Sequence, residues 1–255
     1  MSRSNSDNGP STVDHRGCLI VCATPIGNLG DITYRVVEAL TEADSILAED
    51  TRVTRRLLNH LGIDKTLERC DENTIRQRID GIVARIASGE RLAYVSDAGT
   101  PSISDPGAPL IAAVRAAGLG VEVLPGASAL LTALVASGFY ASSFYFGGFL
   151  SRTDSQRKTL FTQLASLPAV LVFYESPHRI VASLEVIAEV FPDRQVCLAR
   201  ELTKLHEEVL VQSASGLIGM LKTRQAEGQA LKGEMVLLID MPPKKPERVH
   251  VDKYA

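Results

Sequence analysis

The chain has 255 residues, 45% hydrophobic and 22% charged, with 27 Lys+Arg against 30 Asp+Glu and a formal charge of −3. That composition suits one large or two small globular domains and excludes a disordered chain, a coiled coil and a disulfide scaffold. A charge of −3 also excludes a protein that holds nucleic acid by bulk positive charge.

Residues 1–16 are polar, lack the apolar segment of a signal peptide, and read as a disordered tail. Residues 19–23 read as a buried strand. Asp31 then caps a helix whose Ile32, Val36, Val37 and Leu40 share one face. Residues 45–48 form a second strand, and 51–61 a helix closed by Gly62. Ile75, Ile79, Ile82, Val83 and Ile86 follow helical spacing, with Gly89 beyond the end. A strand at 92–95, a helix at 109–117 and a strand at 121–124 complete the first half.

The rhythm continues with a helix at 129–136, a strand at 144–149, a helix at 156–164 and a strand at 170–174. Ile180, Val181, Leu184, Ile187 and Val190 mark another helix. Strands at 196–199, 208–212 and 235–240 flank a helix at 214–222, and 242–255 reads as a loose tail. Residues 123–151 carry no charge and are long enough to span a bilayer, but Pro125, Gly126, Ser128, Thr132, Ser137 and Gly138 interrupt them. A buried helix and strand fit better, and a cytoplasmic protein is expected.

Strands alternating with helices predict α/β architecture. Two such sets meet near residues 125–140, so the expected domains are 17–127 and 128–241, with a ligand cleft between them. Cys18, Cys22 and Cys197 sit in apolar strands and read as buried thiols. No CxxC or Cys/His cluster suggests zinc, and no metal site is expected.

Familiar signatures are missing: there is no GxGxxG after the first strand, no GxxxxGK[ST] and no GxSxG. His206-Glu207-Glu208 lacks the second histidine of a zincin. Three loops stand out instead, each directly after a predicted strand: Thr24-Pro25-Ile26-Gly27-Asn28-Leu29-Gly30-Asp31, the stretch Ser96-Asp97-Ala98-Gly99-Thr100-Pro101 that runs on to Gly107, and Pro125-Gly126-Ala127-Ser128-Ala129. In a parallel sheet such loops converge on one crevice, where glycine lets the backbone approach a ligand.

These loops, with Ala48-Glu49-Asp50-Thr51-Arg52, Phe173-Tyr174-Glu175-Ser176-Pro177-His178-Arg179, Ala199-Arg200-Glu201-Leu202-Thr203-Lys204 and Lys232-Gly233-Glu234, resemble the small-subunit ribosomal RNA methyltransferase I family. That family is a branch of the tetrapyrrole methylase superfamily of S-adenosylmethionine (SAM) enzymes. The resemblance runs from about Gly17 to Asp240. It implies two αβα domains with SAM in the cleft, a homodimer, and no role for membrane or DNA. It also implies methylation of the 2′-hydroxyl of the cytidine numbered 1402 in the 16S rRNA of the small ribosomal subunit. Pro25–Asp31 replaces the superfamily's usual G-x-G-x-G-D, and Ser96-Asp97-Ala98-Gly99 its Gly-Asp-Pro, which favours the RNA branch over porphyrinoid substrates.

By the same resemblance, Pro25, Gly27, Asn28, Leu29, Asp97, Gly99, Thr100, Pro101, Ser128, Ala129, Lys232, Gly233 and Glu234 are expected to hold SAM. A ribose hydroxyl must lose its proton during attack, so a base or a cation beside the developing alkoxide is needed. Glu175 or Glu201 is expected to assist proton removal, and Arg179, Arg200 or Lys204 to stabilise charge. His178 reads as a helix-start residue. RNA contact falls to Arg52, Arg55 and Arg56 on one helix face, to Arg200, and to a second basic group of Arg152, Arg157 and Lys158. Tyr140, Phe144, Tyr145 and Phe146 are read as core packing, with base stacking the other option. Two further readings stay open: a porphyrinoid C-methyltransferase and a non-catalytic RNA-binding assembly factor.

Overall fold

Runs of three to six strand-forming residues alternate with helical stretches throughout the computed structural model, which describes residues 17–229 and 231–243. The two expected tails, 1–16 and 242–255, lie outside the described residues except for 242 and 243. The chain divides into two units: the first holds residues up to Pro25 and Asp31–Gly126, the second holds Ile26–Gly30 and everything from Ala127 onward.

The first unit is built on five strands: β1 (Cys18–Cys22), β2 (Ser45–Ala48), β3 (Leu67–Arg69), β4 (Arg91–Val95) and β5 (Gly120–Leu124). Their order is β3-β2-β4-β1-β5 and every pairing is parallel, with Leu19 opposite Leu92 and Ile46 opposite Ala93. A parallel sheet is covered on both faces, which is why β1 and β2 are unbroken buried runs rather than alternating ones. On one face Ile20, Cys22, Ile46 and Ala93 meet α1 (Tyr34–Glu42) and α2 (Thr51–Leu61) through Val36, Leu40 and Leu58. On the other, Leu19, Val21, Leu47 and Leu92 meet α3 (Ile75–Ala87) and α4 (Ala108–Ala116) through Ile82, Ile86, Leu110 and Val114.

Two local expectations are corrected here. Thr33, not Asp31, caps α1, its hydroxyl accepting from the Val36 amide at 3.3 Å; Asp31 lies in a short 3-10 turn, Leu29–Asp31. β3 was not foreseen. Gly62 closes α2 at φ 69°, the left-handed position that glycine occupies without strain.

The second unit contains β6 (Phe144–Phe149), β7 (Val170–Glu175), β8 (Gln195–Arg200), β9 (Glu208–Ser213) and β10 (Met235–Ile239), in the order β6-β7-β10-β8-β9. Only β6 and β7 run parallel; β10 lies antiparallel to both β7 and β8, and β9 antiparallel to β8. One face packs on α6 (Asp154–Leu164), α7 (Ile180–Val190) and α8 (Ala214–Ala226), with Phe161, Phe173, Leu184, Leu198, Leu217 and Leu237 at the centre. The other face packs on α5 (Ala129–Ala136) through Leu130, Ala133 and Leu134, joined by Ile26 and Leu202. Each unit is therefore an αβα sandwich. The four cysteines are buried and unpaired, and burial pushes the Cys22 and Cys197 thiols up to about 12. Among the described residues no helix is long and apolar enough to cross a membrane.

Candidate functional site

Parallel strands deliver their loops to one edge of a sheet, and in the first unit that edge holds Thr24, Glu49, Asp50, Asp71 and residues 96–107. Thr24 and Gly99 exchange backbone hydrogen bonds, each 2.9 Å, pinning the loop after β4 to the end of β1. Gly99 sits at φ 77°, a conformation that side chains resist. The Thr24 hydroxyl donates to the Ser96 carbonyl at 3.2 Å. Asp97 Oδ1 accepts from the Asp50 amide at 3.0 Å, and the Asp97 amide donates to Glu49 at 3.4 Å.

This edge gathers like charges. Burial and the neighbouring Asp105 raise the Glu49 carboxyl above its ordinary range, against the pull of the Asp97 N–H. Burial also raises Asp97, opposed by the Asp50 N–H, and Asp105, opposed by the Ser96 hydroxyl. Among the described residues no cluster of His, Cys, Asp and Glu is arranged to hold a metal.

The second unit builds its polar group differently. The turn after β8 contains two non-glycine residues in the left-handed region, Glu201 at φ 51° and Thr203 at φ 66°. Such backbone is retained only where its surroundings impose it. Lys204 Nζ donates to Glu201 Oε1 and to Glu234 Oε2, both at 2.9 Å. Glu201 and Glu234 also exchange bonds: the Glu201 amide donates to the Glu234 carbonyl, and the Glu234 amide to Glu201 Oε1, each 3.0 Å. The Thr203 hydroxyl accepts from the Asn28 amide at 3.1 Å, and the Thr203 amide donates to Glu207 at 2.5 Å.

Glycine makes this arrangement possible. Gly233 lies at φ 94°, and a Cβ there would stand 2.3 Å from the Glu201 carboxyl carbon. A Cβ at Gly27 would collide with the Lys204 side chain at 2.4 Å. Residues 26–30, expected in the N-terminal domain, thus fold against the Glu201–Lys204 turn. The Lys204 ammonium holds the Glu201 carboxyl below its ordinary range despite partial burial. Burial works against the Lys204 charge, but Glu201 and Glu234 outweigh it and keep the amine protonated.

Glu175 ends β7 with a fully buried side chain, paired to Arg179 at 2.8 Å. It also accepts from the Ser183 hydroxyl and from the Ser176 amide at 2.7 Å. An occupied, buried carboxylate of this kind is an anchor, not an open proton acceptor. His178 is exposed, and its amide donates to Ser176 Oγ at 3.3 Å. Ser128 caps α5, accepting from the Leu131 amide at 3.5 Å, with Ala129 the first helical residue. Lys232 is exposed.

The expected basic groups are largely engaged. Arg52 chelates Asp50, with 2.6 Å between Arg52 Nη2 and Asp50 Oδ2, and Arg55 reaches the Lys65 carbonyl at 3.3 Å. Arg200 donates to Glu208 and to the Lys232 carbonyl, while Arg224 takes both oxygens of Glu208. Of Arg52, Arg55, Arg56 and Arg200, only Arg56 makes no ion pair among the described residues. The second basic group is corrected: Arg157 is 2% exposed and points inward, and Lys158 pairs with Glu189. Tyr145 and Phe146 pack on Phe173 and Tyr174, whereas Tyr140 and Phe144 are exposed.

Residues 19–217 match the family model described as Tetrapyrrole (Corrin/Porphyrin) Methylases. The chain is 46% identical over 224 residues to "Ribosomal RNA small subunit methyltransferase I" of Neisseria meningitidis serogroup B, covering 88% of this chain and 76% of that protein. It is 44% identical over 213 residues to the protein of the same name from Thermotoga maritima, covering 84% and 96%. The chain belongs to the ribosomal RNA small subunit methyltransferase I family.

Among solved structures, the methyltransferase CobJ superposes with a TM-score of 0.63 at 23% identity, covering 88% of this chain and 94% of that one. Diphthine synthase superposes at 0.67 with 13% identity, covering 88% and 90%. At these identities the likeness is one of fold. Within this methyltransferase I family member, sequence reasoning missed three residues that the geometry brings forward. Thr203 holds Asn28, Ser183 holds Glu175, and Asp105 shares the edge with Glu49. Asp105 and Thr203 carried a signal, the first by its place in the loop that runs to Gly107 and the second by its place in the 199–204 motif; Ser183 carried none.

Proposed function

We propose that this chain is a SAM-dependent methyltransferase that modifies the small-subunit ribosomal RNA, at the 2′-hydroxyl of cytidine 1402. The observation that carries this reading is the 46% identity with a relative of that printed name across 88% of the chain. The Lys204 group supports the finer chemistry. The reading includes a homodimer and a cytoplasmic setting, supported by family membership.

The proposed cofactor residues fit the group they are assigned. Gly233, half-buried at φ 94°, leaves backbone open where a side chain would be strained, so a ligand can approach it closely, while Gly99, buried at φ 77° and bonded to Thr24 through both backbone groups, fixes the loop that carries Asp97. In the first unit Pro25, Asp97, Gly99, Thr100 and Pro101 are assigned to it; in the second, Gly27, Asn28, Leu29, Ser128, Ala129, Lys232, Gly233 and Glu234. When bound, SAM supplies an electrophilic methyl group on a sulfonium. Asp97, an exposed carboxylate held in place by the Asp50 amide, would accept hydrogen bonds from the cationic amine of the cofactor.

The acceptor side rests on Lys204. Its ammonium, fixed by two carboxylates, presents a permanent positive charge to an oxygen that is losing its proton. Glu234 positions Lys204, and Glu201, which also holds Lys204, takes the proton that the hydroxyl loses. Glu175 positions Arg179, whose guanidinium adds a second fixed cation.

Mass spectrometry of rRNA nucleosides from cells lacking the protein tests the reading. Loss of one 2′-O-methylated cytidine is expected; an unchanged nucleoside profile overturns it. Calorimetry with Asp97→Ala tests the cofactor assignment. Losing a hydrogen bond to a charged group should weaken SAM binding by about 10- to 100-fold, and unchanged affinity removes Asp97 from the site.

A further inference from the structure

Three consecutive carbonyls in the loop after β6 are captured from the inside by two arginines. Arg179 Nη1 donates to the Leu150 carbonyl at 3.3 Å. Arg157 Nη1 donates to the Ser151 carbonyl at 3.0 Å and to the Arg152 carbonyl at 3.4 Å, and its Nη2 pairs with Asp154. Arg157 lies on α6 and is 2% exposed, and its Nε has no hydrogen-bond partner among the described residues. A guanidinium buried with one donor unsatisfied is costly, and a hydrophobic residue of similar size would pack there at lower cost. What Arg157 does that an apolar side chain cannot is fix the path of residues 150–153.

That path has an outward consequence. The peptide bonds are trans, so each inward carbonyl turns the N–H of the next residue to the opposite side. The N–H groups of Ser151, Arg152 and Thr153 therefore point away from the guanidiniums, and no group among the described residues accepts them. Arg152 and Thr153 are exposed, and the Arg152 guanidinium makes no ion pair among the described residues. The loop thus turns its acceptors inward and offers donors and a free positive charge outward. The partner that matches is rich in anionic oxygen acceptors.

We propose that Arg157 is a positioning residue for RNA binding: it shapes residues 150–153 so that Arg152 and the outward N–H groups take a backbone phosphate of the substrate RNA. This rests on the rRNA methyltransferase reading above. Phosphate contact through guanidinium and peptide N–H positions an RNA without reading its sequence.

A double-mutant cycle on the intact protein, with small-subunit particles as methyl acceptor, tests it. Arg152→Ala should raise the KM for the particle about 5- to 10-fold and lower the salt slope of binding by about 0.7 to 0.9. Affinity for SAM should be unchanged. Arg157→Met, which displaces Arg152 and the N–H groups together, should raise KM at least as much, and the double variant should be no worse than Arg157→Met alone, since Arg157 acts through Arg152 and those groups. Arg157→Lys keeps a charge but lacks the planar fork that joins two carbonyls on Nη1 to Asp154 on Nη2, so it should fold and still show the raised KM.

A flat KM series, strictly additive effects, or an equal loss of SAM affinity would overturn the proposal. If Arg157→Met fails to fold, a folded Arg157→Lys with the wild-type KM overturns it equally. A wild-type protein that transfers no methyl group to the particle defeats the rRNA reading itself. An active wild type with an unresponsive series defeats only the role of Arg157.

Discussion

The two units hold their clustered carboxylates in different ways: on the first unit's edge Asp50 and Asp71 pair with Arg52 and Arg69, but three further carboxylates do not pair. In the first, Glu49, Asp97 and Asp105 face one another with no ion pair to lysine or arginine among the described residues, and all three carboxyls are pushed above their ordinary range. In the second, Glu201 and Glu234 close on Lys204, and Glu208 closes on Arg224 and Arg200. There the Glu201 and Glu208 carboxyls are held below their ordinary range, by the Lys204 and Arg224 hydrogen bonds above all. An edge of like charges is destabilised by its own ionisation, whereas an edge of neutralised pairs is stabilised by it. The first arrangement suits a ligand that brings donors or positive charge. The second suits a protein-supplied cation.

The comparison breaks hardest at Lys204. Lys204→Met should lower single-turnover methyl transfer by about 10²- to 10³-fold, the cost of removing one electrostatic stabiliser. It should also cost roughly 1–2 kcal/mol in denaturant unfolding, since Glu201 and Glu234 lose a charged hydrogen bond. Wild-type rates would place Lys204 outside the chemistry.

Gly233→Ala attacks the same turn through its backbone. Alanine at φ 94° against Glu201 should cost about 1–3 kcal/mol, read as a lowered melting temperature. Turnover should fall about tenfold as the Glu201–Lys204 pair is displaced. In the first unit the sign reverses. Glu49→Gln removes one of three like charges and should stabilise the fold, by only a few tenths of a kcal/mol because solvent screens this edge. Destabilisation instead would mean that the Glu49 bond to the Asp97 amide outweighs the repulsion.

The smallest effect is a divergence with pH. Glu201 and Glu208 have lowered carboxyls, so their contribution is complete above the ordinary carboxylate range and is lost as pH falls through that range and below it. Glu49, Asp97 and Asp105 have raised carboxyls, so the cost of their ionisation is relieved as pH falls from neutral. Amide protection, corrected for intrinsic exchange, should fall around residues 201–204 and hold or rise around residues 96–99 between about pH 7 and 4. Parallel loss in both regions would contradict the contrast.

Much of the fold was legible because its signals are local. Apolar runs of four to six residues located nine of the strands, and Gly62 marked the end of α2. β3 escaped because Leu67-Glu68-Arg69 is three residues long, half exposed, and without alternation. The cap of α1 was misplaced because Asp31 and Thr33 are both competent caps, and only the geometry chooses between them. The site motifs were legible as loops after strands, but their construction was not. Asn28 and Thr203 lie 175 residues apart, and no periodicity announces that pairing. Nor does a sequence mark non-glycine residues at positive φ, such as Glu201. Arg157 was misread because a charged residue in a basic stretch is ordinarily solvated, and here it caps carbonyls in the interior.

β10 is the last strand among the described residues, yet it occupies the centre of its sheet, bonded to β7 on one side and β8 on the other. The order of synthesis therefore constrains the order of assembly. While the ribosome is still making residues 1–234, β7 and β8 have no partner on their inner edges, and the sheet of the second unit cannot close. The first unit has no such wait once β5 has emerged, for all five of its strands precede Gly126. The first unit can therefore fold before the second, whose sheet waits for β10. A chain ending before Met235 would carry two exposed strand edges, ready to pair with other chains.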